Sequence, residues 1–305
     1  LPLQVFRSLC TFAIKLRKLT NNDNYCSSDA IYDTCMEYSD YTNWIYERSI
    51  RGQVFFSLDD FKKSYPAVSK EVIRVALSRM QDNGLIISPW KTFYVIVPTE
   101  YRLKGEVPPS YYIDELMKYL HRDYYVSLLS AATIYGASHQ RSQTYYVMAS
   151  GKSLRDGVKN GTKLVFSQRQ YIPKVYVRQV KTQTGMMNIS SPLMTALDII
   201  NMESKIGGMS RAAEIIAELD ESFSLSTSDY GLLKTYPVPV IQRFGYILNI
   251  LSYDEHARWV EDACKDLGIK FRKTPLKAGK PCGESHVTDK RWKLIVNTRI
   301  ETDEL

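Results

Sequence analysis

Between Gln53 and Val97 the cap and turn residues stand so close together that the order of elements is nearly forced. Gln53–Phe56 favours a short strand. Ser57 with Asp60 three residues on has the pattern of a capping box, which predicts a short helix over Leu58–Ser64, ending before Pro66. Ser69 then caps a longer helix over Lys70–Asn83, and Gly84 supplies the left-handed residue that stops it. Two β-favouring runs follow, Leu85–Ser88 and Thr92–Val97, joined through Pro89-Trp90-Lys91 as in a hairpin. With a first helix at Tyr41–Ile50, this order is that of a winged helix-turn-helix.

At ~100° per residue the long helix separates into two faces. Val72, Ile73, Ala76, Leu77 and Met80 fall in one half, while Lys70, Glu71, Arg74, Ser78 and Gln81 fall opposite. In a helix-turn-helix the polar half enters the major groove. Lys70 and Arg74 suit guanine edges or phosphate, and Ser69 with the first free N–H groups suits phosphate. Glu71 can accept from cytosine N4, and Ser78 lies on the same face. Trp90 and Lys91 at the wing tip would lie along the backbone or minor groove. An amphipathic helix of this kind is also ordinary core packing, and winged helices serve as protein-docking modules too.

The 305 residues, 44% hydrophobic and 24% charged, suit a protein of about two domains with sizeable cores. No apolar run reaches the ~20 residues needed to span a bilayer. The chain opens on Leu1, so its start is expected upstream. The first fourteen residues, broken by Arg7 and without a small-residue cleavage site, do not read as a secretion signal. Five scattered cysteines without a C-x-x-C pair read as free thiols, and a cytoplasmic location is expected.

The net charge of +7 is unevenly placed. Asn21–Glu47 holds six acids and no Lys or Arg, whereas Arg141–Thr184 holds nine Lys or Arg against Asp156 alone. Gly268–Arg299 holds nine more against Glu284 and Asp289. The first basic run, with Arg141, Lys152, Arg155, Lys159 and Lys163, predicts a basic surface for a polyanion or an acidic protein. Gly105–Ser110, with paired prolines, reads as a linker, and Lys273–Ser285 as a loose basic loop. These features divide the chain into an extension (1–40), a winged helix (41–104), a mixed domain (105–252) and a basic C-terminal subdomain (253–305). In the mixed domain, Tyr112–Leu120 and Ser127–Tyr135 have helical spacing. Gln143–Met148, Thr162–Phe166, Lys174–Val180 and Met186–Ile189 read as strands, and further helices follow from Pro192 onward. The fold class expected is α+β.

In its order of motifs the chain resembles AbiEi-type antitoxins of type IV (abortive-infection) toxin–antitoxin systems. Val54-Phe55-Phe56-Ser57-Leu58-Asp59-Asp60, Ala76-Leu77-Ser78-Arg79 and Tyr94-Val95-Ile96-Val97-Pro98 are similar to the family's N-terminal pattern. Tyr124-Tyr125-Val126-Ser127-Leu128-Leu129-Ser130-Ala131-Ala132, running into Tyr135-Gly136-Ala137-Ser138-His139-Gln140, is similar to its central motif. Ser190-Ser191-Pro192-Leu193-Met194-Thr195-Ala196-Leu197-Asp198 and Gln242-Arg243-Phe244-Gly245-Tyr246 follow at family-like spacing. The wing departs from the family's Arg-rich tips, carrying Ser88-Pro89-Trp90-Lys91. The resemblance implies a winged helix that binds inverted repeats in the operon's own promoter, and a C-terminal domain that neutralises a nucleotidyltransferase-like toxin encoded nearby. The residues themselves point to no catalytic site, no metal and no cofactor.

Two other readings compete. One is a winged-helix transcription regulator whose C-terminal domain takes a different ligand or partner. The other is a nuclease of the restriction or repair class, in which Asp198, Glu203 and Lys205 would hold Mg²⁺ and polarise a phosphate. His121, His139, His256 and His286 lack metal-ligand spacing, and no glycine-rich phosphate loop is present. Phe271 and Trp292 among Lys and Arg suggest either stacking on nucleic acid or plain packing.

Overall fold

The computed structural model describes residues 40–102, 106–137, 143–159, 161–283 and 286–301. The acidic extension therefore lies almost wholly outside the described residues, as do His139 and Arg141.

The N-terminal unit comprises α1 (residues 40–50), β1 (Phe55–Ser57), α2 (Leu58–Ser64), α3 (Lys70–Asp82), β2 (Ile86–Trp90) and β3 (Phe93–Ile96), and the short helix α4 (Thr99–Arg102) follows it. Local chemistry sets most of these boundaries. The Ser57 hydroxyl accepts from the Asp60 amide at 3.1 Å while the Asp60 carboxylate accepts from the Ser57 amide at 2.9 Å, a closed capping box. Ser69 caps α3 through the Val72 amide at 3.3 Å, and Gly84 has φ +66°. The hairpin is tighter than its sequence suggests. Pro89 and Trp90 belong to β2, which has an irregular register between Ile87 and Trp90, and the turn is Lys91–Thr92 with Thr92 at φ +63°. Proline, lacking an N–H, fits such a bulge without losing a ladder bond.

The three strands pair in the order β1-β3-β2. Their period-two alternation divides the side chains between two cores. Phe56, Ile86 and Ile96 face the helices and pack with Tyr41, Phe61 and Met80. Phe93 and Val95 point the other way, into a second core shared with the rest of the chain.

That second part is built on a six-stranded sheet of order β6-β7-β5-β4-β9-β8. Its strands are β4 (Tyr124–Val126), β5 (Thr144–Ala149), β6 (Gly157–Lys159), β7 (Thr162–Gln168), β8 (Val177–Lys181) and β9 (Met186–Ser190). Both faces are covered. Val126, Val147, Leu164 and Phe166 meet α5 (Ile113–Tyr119) and the N-terminal sheet. Tyr125, Tyr146, Met148 and Val165 meet a helical layer. That layer consists of α6 (Leu128–Ile134), α7 (Pro192–Asn201), α8 (Glu203–Ile206), α9 (Met209–Leu219), α10 (Tyr230–Leu233), α11 (Val238–Ile250) and α12 (Asp254–Asp266). The mixed α+β class is as expected, but β4 was not legible. All three of its residues are buried, so it shows no alternation.

Two segments expected to be loose are anchored. Val107, 3% exposed, is buried in the core that joins the two parts, and Pro109 is buried two residues on. In the basic C-terminal loop, Leu276 is buried and Asn297 holds the backbone of Lys277 and Lys280 through three bonds of 2.9 Å. A small sheet closes there, with β12 (Leu294–Ile295) between β10 (Thr274–Pro275) and β11 (Thr288–Asp289). Trp292 is 0% exposed and presses on α11 at Gly245, so it packs and does not stack on a ligand.

Candidate nucleic-acid interface

One side of α3 is consumed by the core: Ile73, Ala76, Leu77 and Met80 are buried. The other side is open. Lys70, Glu71, Arg74 and Ser78 are all exposed, and none of their side chains bonds to another described residue. The structure corrects one assignment on this helix. Val72 is 40% exposed and faces outward, as does Val75 at 44%, so the open face mixes charge with two β-branched side chains. At ~100° per residue Val72 lies at the edge of the apolar arc. Ser69 stands at the exposed N-terminus, its hydroxyl already accepting the Val72 amide. Such a face offers cations for phosphate or guanine and methyl groups for the thymine methyl.

The hairpin tip separates the two residues proposed for it. Lys91 is exposed. Trp90 instead turns toward the second part, its ring edge-on to Phe166 of β7 with centroids 5.8 Å apart. Thr92 beside it meets the Tyr119 hydroxyl at 2.9 Å.

Of the first basic run, Lys152, Arg155 and Lys163 are exposed, and Lys159 lies on edge strand β6. Arg169 belongs to the same run yet points inward. Its Nη1 donates to the Tyr125 hydroxyl at 2.9 Å, the Tyr236 hydroxyl at 2.8 Å and Asp198 Oδ1 at 3.1 Å. Its Nη2 donates to Thr235 Oγ1 at 2.9 Å. Asp198, 1% exposed, also accepts from the Tyr236 hydroxyl at 2.6 Å and from the Tyr125 hydroxyl at 3.0 Å. Burial pushes the Asp198 carboxyl up to about 6, against the pull of Arg169 and the two hydroxyls. Sequence reasoning missed this network, because its bonded pairs lie 29 to 73 residues apart. The only signal was an aspartate within an otherwise apolar helix.

This network bears on the nuclease reading. Both Asp198 oxygens are occupied by protein donors, and Lys205 Nζ is bonded to Ser167 Oγ at 2.7 Å. Asp198 lies on α7 and Glu203 and Lys205 on α8, not on adjacent strands. Among the described residues, no group of three His, Cys, Asp or Glu side chains is placed to hold a metal ion. His256 pairs with Asp220 at 3.0 Å, and His286 accepts from the Gly283 amide at 2.8 Å. None of the described helices is long and apolar enough to cross a membrane.

Residues 125–250 match the family model of the AbiEi antitoxin C-terminal domain. The match begins within β4 and ends at the last residue of α11, so it spans the Arg169–Asp198 network. Among solved structures, the chain is similar to the crystal structure of RV2827C protein from Mycobacterium tuberculosis. The TM-score is 0.61 at 12% identity, covering 83% of this chain and 90% of that one. At that identity the likeness is one of fold. No curated protein matches.

Proposed function

Because residues 125–250 match the family model of the AbiEi antitoxin C-terminal domain, we propose that the chain is the antitoxin of a toxin–antitoxin pair that also represses its own operon. In this reading residues 41–104 are a winged helix-turn-helix and α3 is its recognition helix, set into the major groove of inverted repeats in the promoter. Lys70 and Arg74 contact phosphate or guanine, Glu71 and Ser78 sort bases, and Ser69 places the helix N-terminus against a phosphate. Lys91 is the wing's backbone contact, while Trp90 fixes the wing from behind. The partner is a nucleotidyltransferase-like toxin, neutralised by the family domain. We assign no catalytic step, metal or cofactor to this chain.

The observation that carries the DNA half is the division of α3. Four residues are buried against its own unit, and Lys70, Glu71, Arg74 and Ser78 are left exposed without partners among the described residues. The test is a salt titration of binding to the duplex upstream of the gene, against a scrambled duplex of equal length. Preferential binding that weakens steeply with salt is expected, because displaced counterions return to the phosphates. Lys70→Ala with Arg74→Ala should abolish the preference while the variant still rescues cells expressing the toxin gene. Equal binding to both duplexes would remove the sequence-reading role and leave the family domain as the basis of function.

A further inference from the structure

The chain enters α1 beside the turn that leads into α3. Asp40 opens α1, and its carbonyl accepts from the Tyr65 hydroxyl at 3.2 Å. The Tyr41 ring meets the Tyr65 ring edge-on, with centroids 4.7 Å apart. Tyr65 closes α2, and its own carbonyl accepts from the Val68 amide at 3.2 Å, one residue before the Ser69 cap of α3. At ~3.8 Å between consecutive Cα atoms, Ser69 lies within about 15 Å of Tyr65.

Residues 1–39 lie outside the described residues, but their sequence is one-sided near this junction. Asp23, Asp29, Asp33 and Glu37 lead into Asp40, and no Lys or Arg stands between Asn21 and Glu47. Ile31, Tyr32 and Met36 are interleaved with the last three of these acids. The surface beside the junction has the opposite character. From Lys62 to Arg74 there are four cations against Glu71 alone. Lys62 pairs with Asp59 at 3.6 Å, whereas Lys63, Lys70 and Arg74 are exposed and make no ion pair among the described residues. Val72 and Val75, 40% and 44% exposed, lie on the same helix. A face of cations and methyl groups thus stands next to the entry of a segment of acids and apolar side chains. Exposed charges act over a Debye length of about 8 Å at physiological salt, so nearness of entry matters. A segment joined to its target through a few residues also meets it at an effective concentration on the order of mM.

We infer that the acidic segment Asp29–Glu37 lies on the α3 face in cis, where Asp29, Asp33 and Glu37 engage Lys63, Lys70 and Arg74 and compete with DNA phosphate. The contact itself stands on charge and connectivity, and its consequence for repression rests on the DNA-binding reading above. A face occupied in this way is closed to duplex that offers phosphate alone. It yields to duplex that adds base contacts.

The test compares the full chain with Asp29→Asn/Asp33→Asn/Glu37→Gln. A variant with the same change of net charge, Glu255→Gln/Asp262→Asn/Asp266→Asn on α12, is the control. Affinity for the upstream duplex is measured for all three. Acetylation of Lys70 by a small reagent is followed without DNA by mass spectrometry, at two protein concentrations about tenfold apart. Neutralising the segment should tighten DNA binding about tenfold, the worth of three exposed ion pairs. It should also speed Lys70 acetylation at both concentrations, while the α12 variant acetylates at the parent rate. An unchanged acetylation rate, or an unchanged affinity in a chain that binds DNA, would overturn the inference and leave the reading of α3 intact. Equal tightening by the α12 variant would overturn it as an effect of net charge. Protection of Lys70 that grows with protein concentration would overturn the cis contact in favour of a second copy as the occupant. If the chain binds no DNA but acetylation rises as expected, the contact stands and its regulatory consequence falls with the DNA-binding reading.

Discussion

Replacing Asp198 by asparagine removes one charge from the centre of the family domain and leaves everything around it in place. The Arg169 side chain is 13% exposed and the Asp198 side chain 2%, so the guanidinium would stay in a largely dry interior without its counter-ion. Its other acceptors are the hydroxyls of Tyr125, Tyr236 and Thr235, which satisfy hydrogen bonds but carry no charge. Removing one partner of a buried pair costs about 3–5 kcal/mol. The asparagine Oδ1 can still accept one bond, which points to the lower end, about 3 kcal/mol. At roughly 2–4 °C per kcal/mol for a domain of this size, the melting temperature should fall by about 6–12 °C. Arg169→Met should cost a similar amount, while Arg169→Met/Asp198→Leu should recover much of the loss, because no charge is then stranded. Urea unfolding of all four proteins at neutral pH, followed by fluorescence, measures the cycle. If Asp198→Asn unfolds within about 1 kcal/mol of the parent, or the two single losses simply add, the pair is not the coupled unit described here.

A further perturbation tests the same interior. Gly245→Ala in α11 sets helix propensity against packing. Alanine favours the helix by about 1 kcal/mol. However, its Cβ would lie 2.2 Å from the Trp292 ring, an overpacking that costs about 1–3 kcal/mol. Thermal unfolding decides by sign, and a stabilised variant would show that Trp292 yields freely.

The capped helices were legible because their signals are local. Ser57 with Asp60 and Ser69 with Val72 are bonded three residues apart, and Ser191 caps α7 across the same distance, so the chain specifies these starts before any tertiary contact forms. The likeness of residues 125–250 to the AbiEi antitoxin C-terminal domain was legible as well, through an ordered series of motifs. What tertiary structure alone decided was the use made of residues that look alike in sequence. Arg155 and Arg169 stand in one basic run, yet the first is exposed and the second is buried on Asp198, because strand alternation and a helix 29 residues away put an acceptor there. Trp90 and Trp292 are each followed directly by a lysine. The first is turned inward by Phe166, 76 positions on in the chain, and the second is buried against Gly245. Apolar burial is non-directional and depends on which distant surfaces meet, so a side chain's partner at such range is set by the packed sheet and helices.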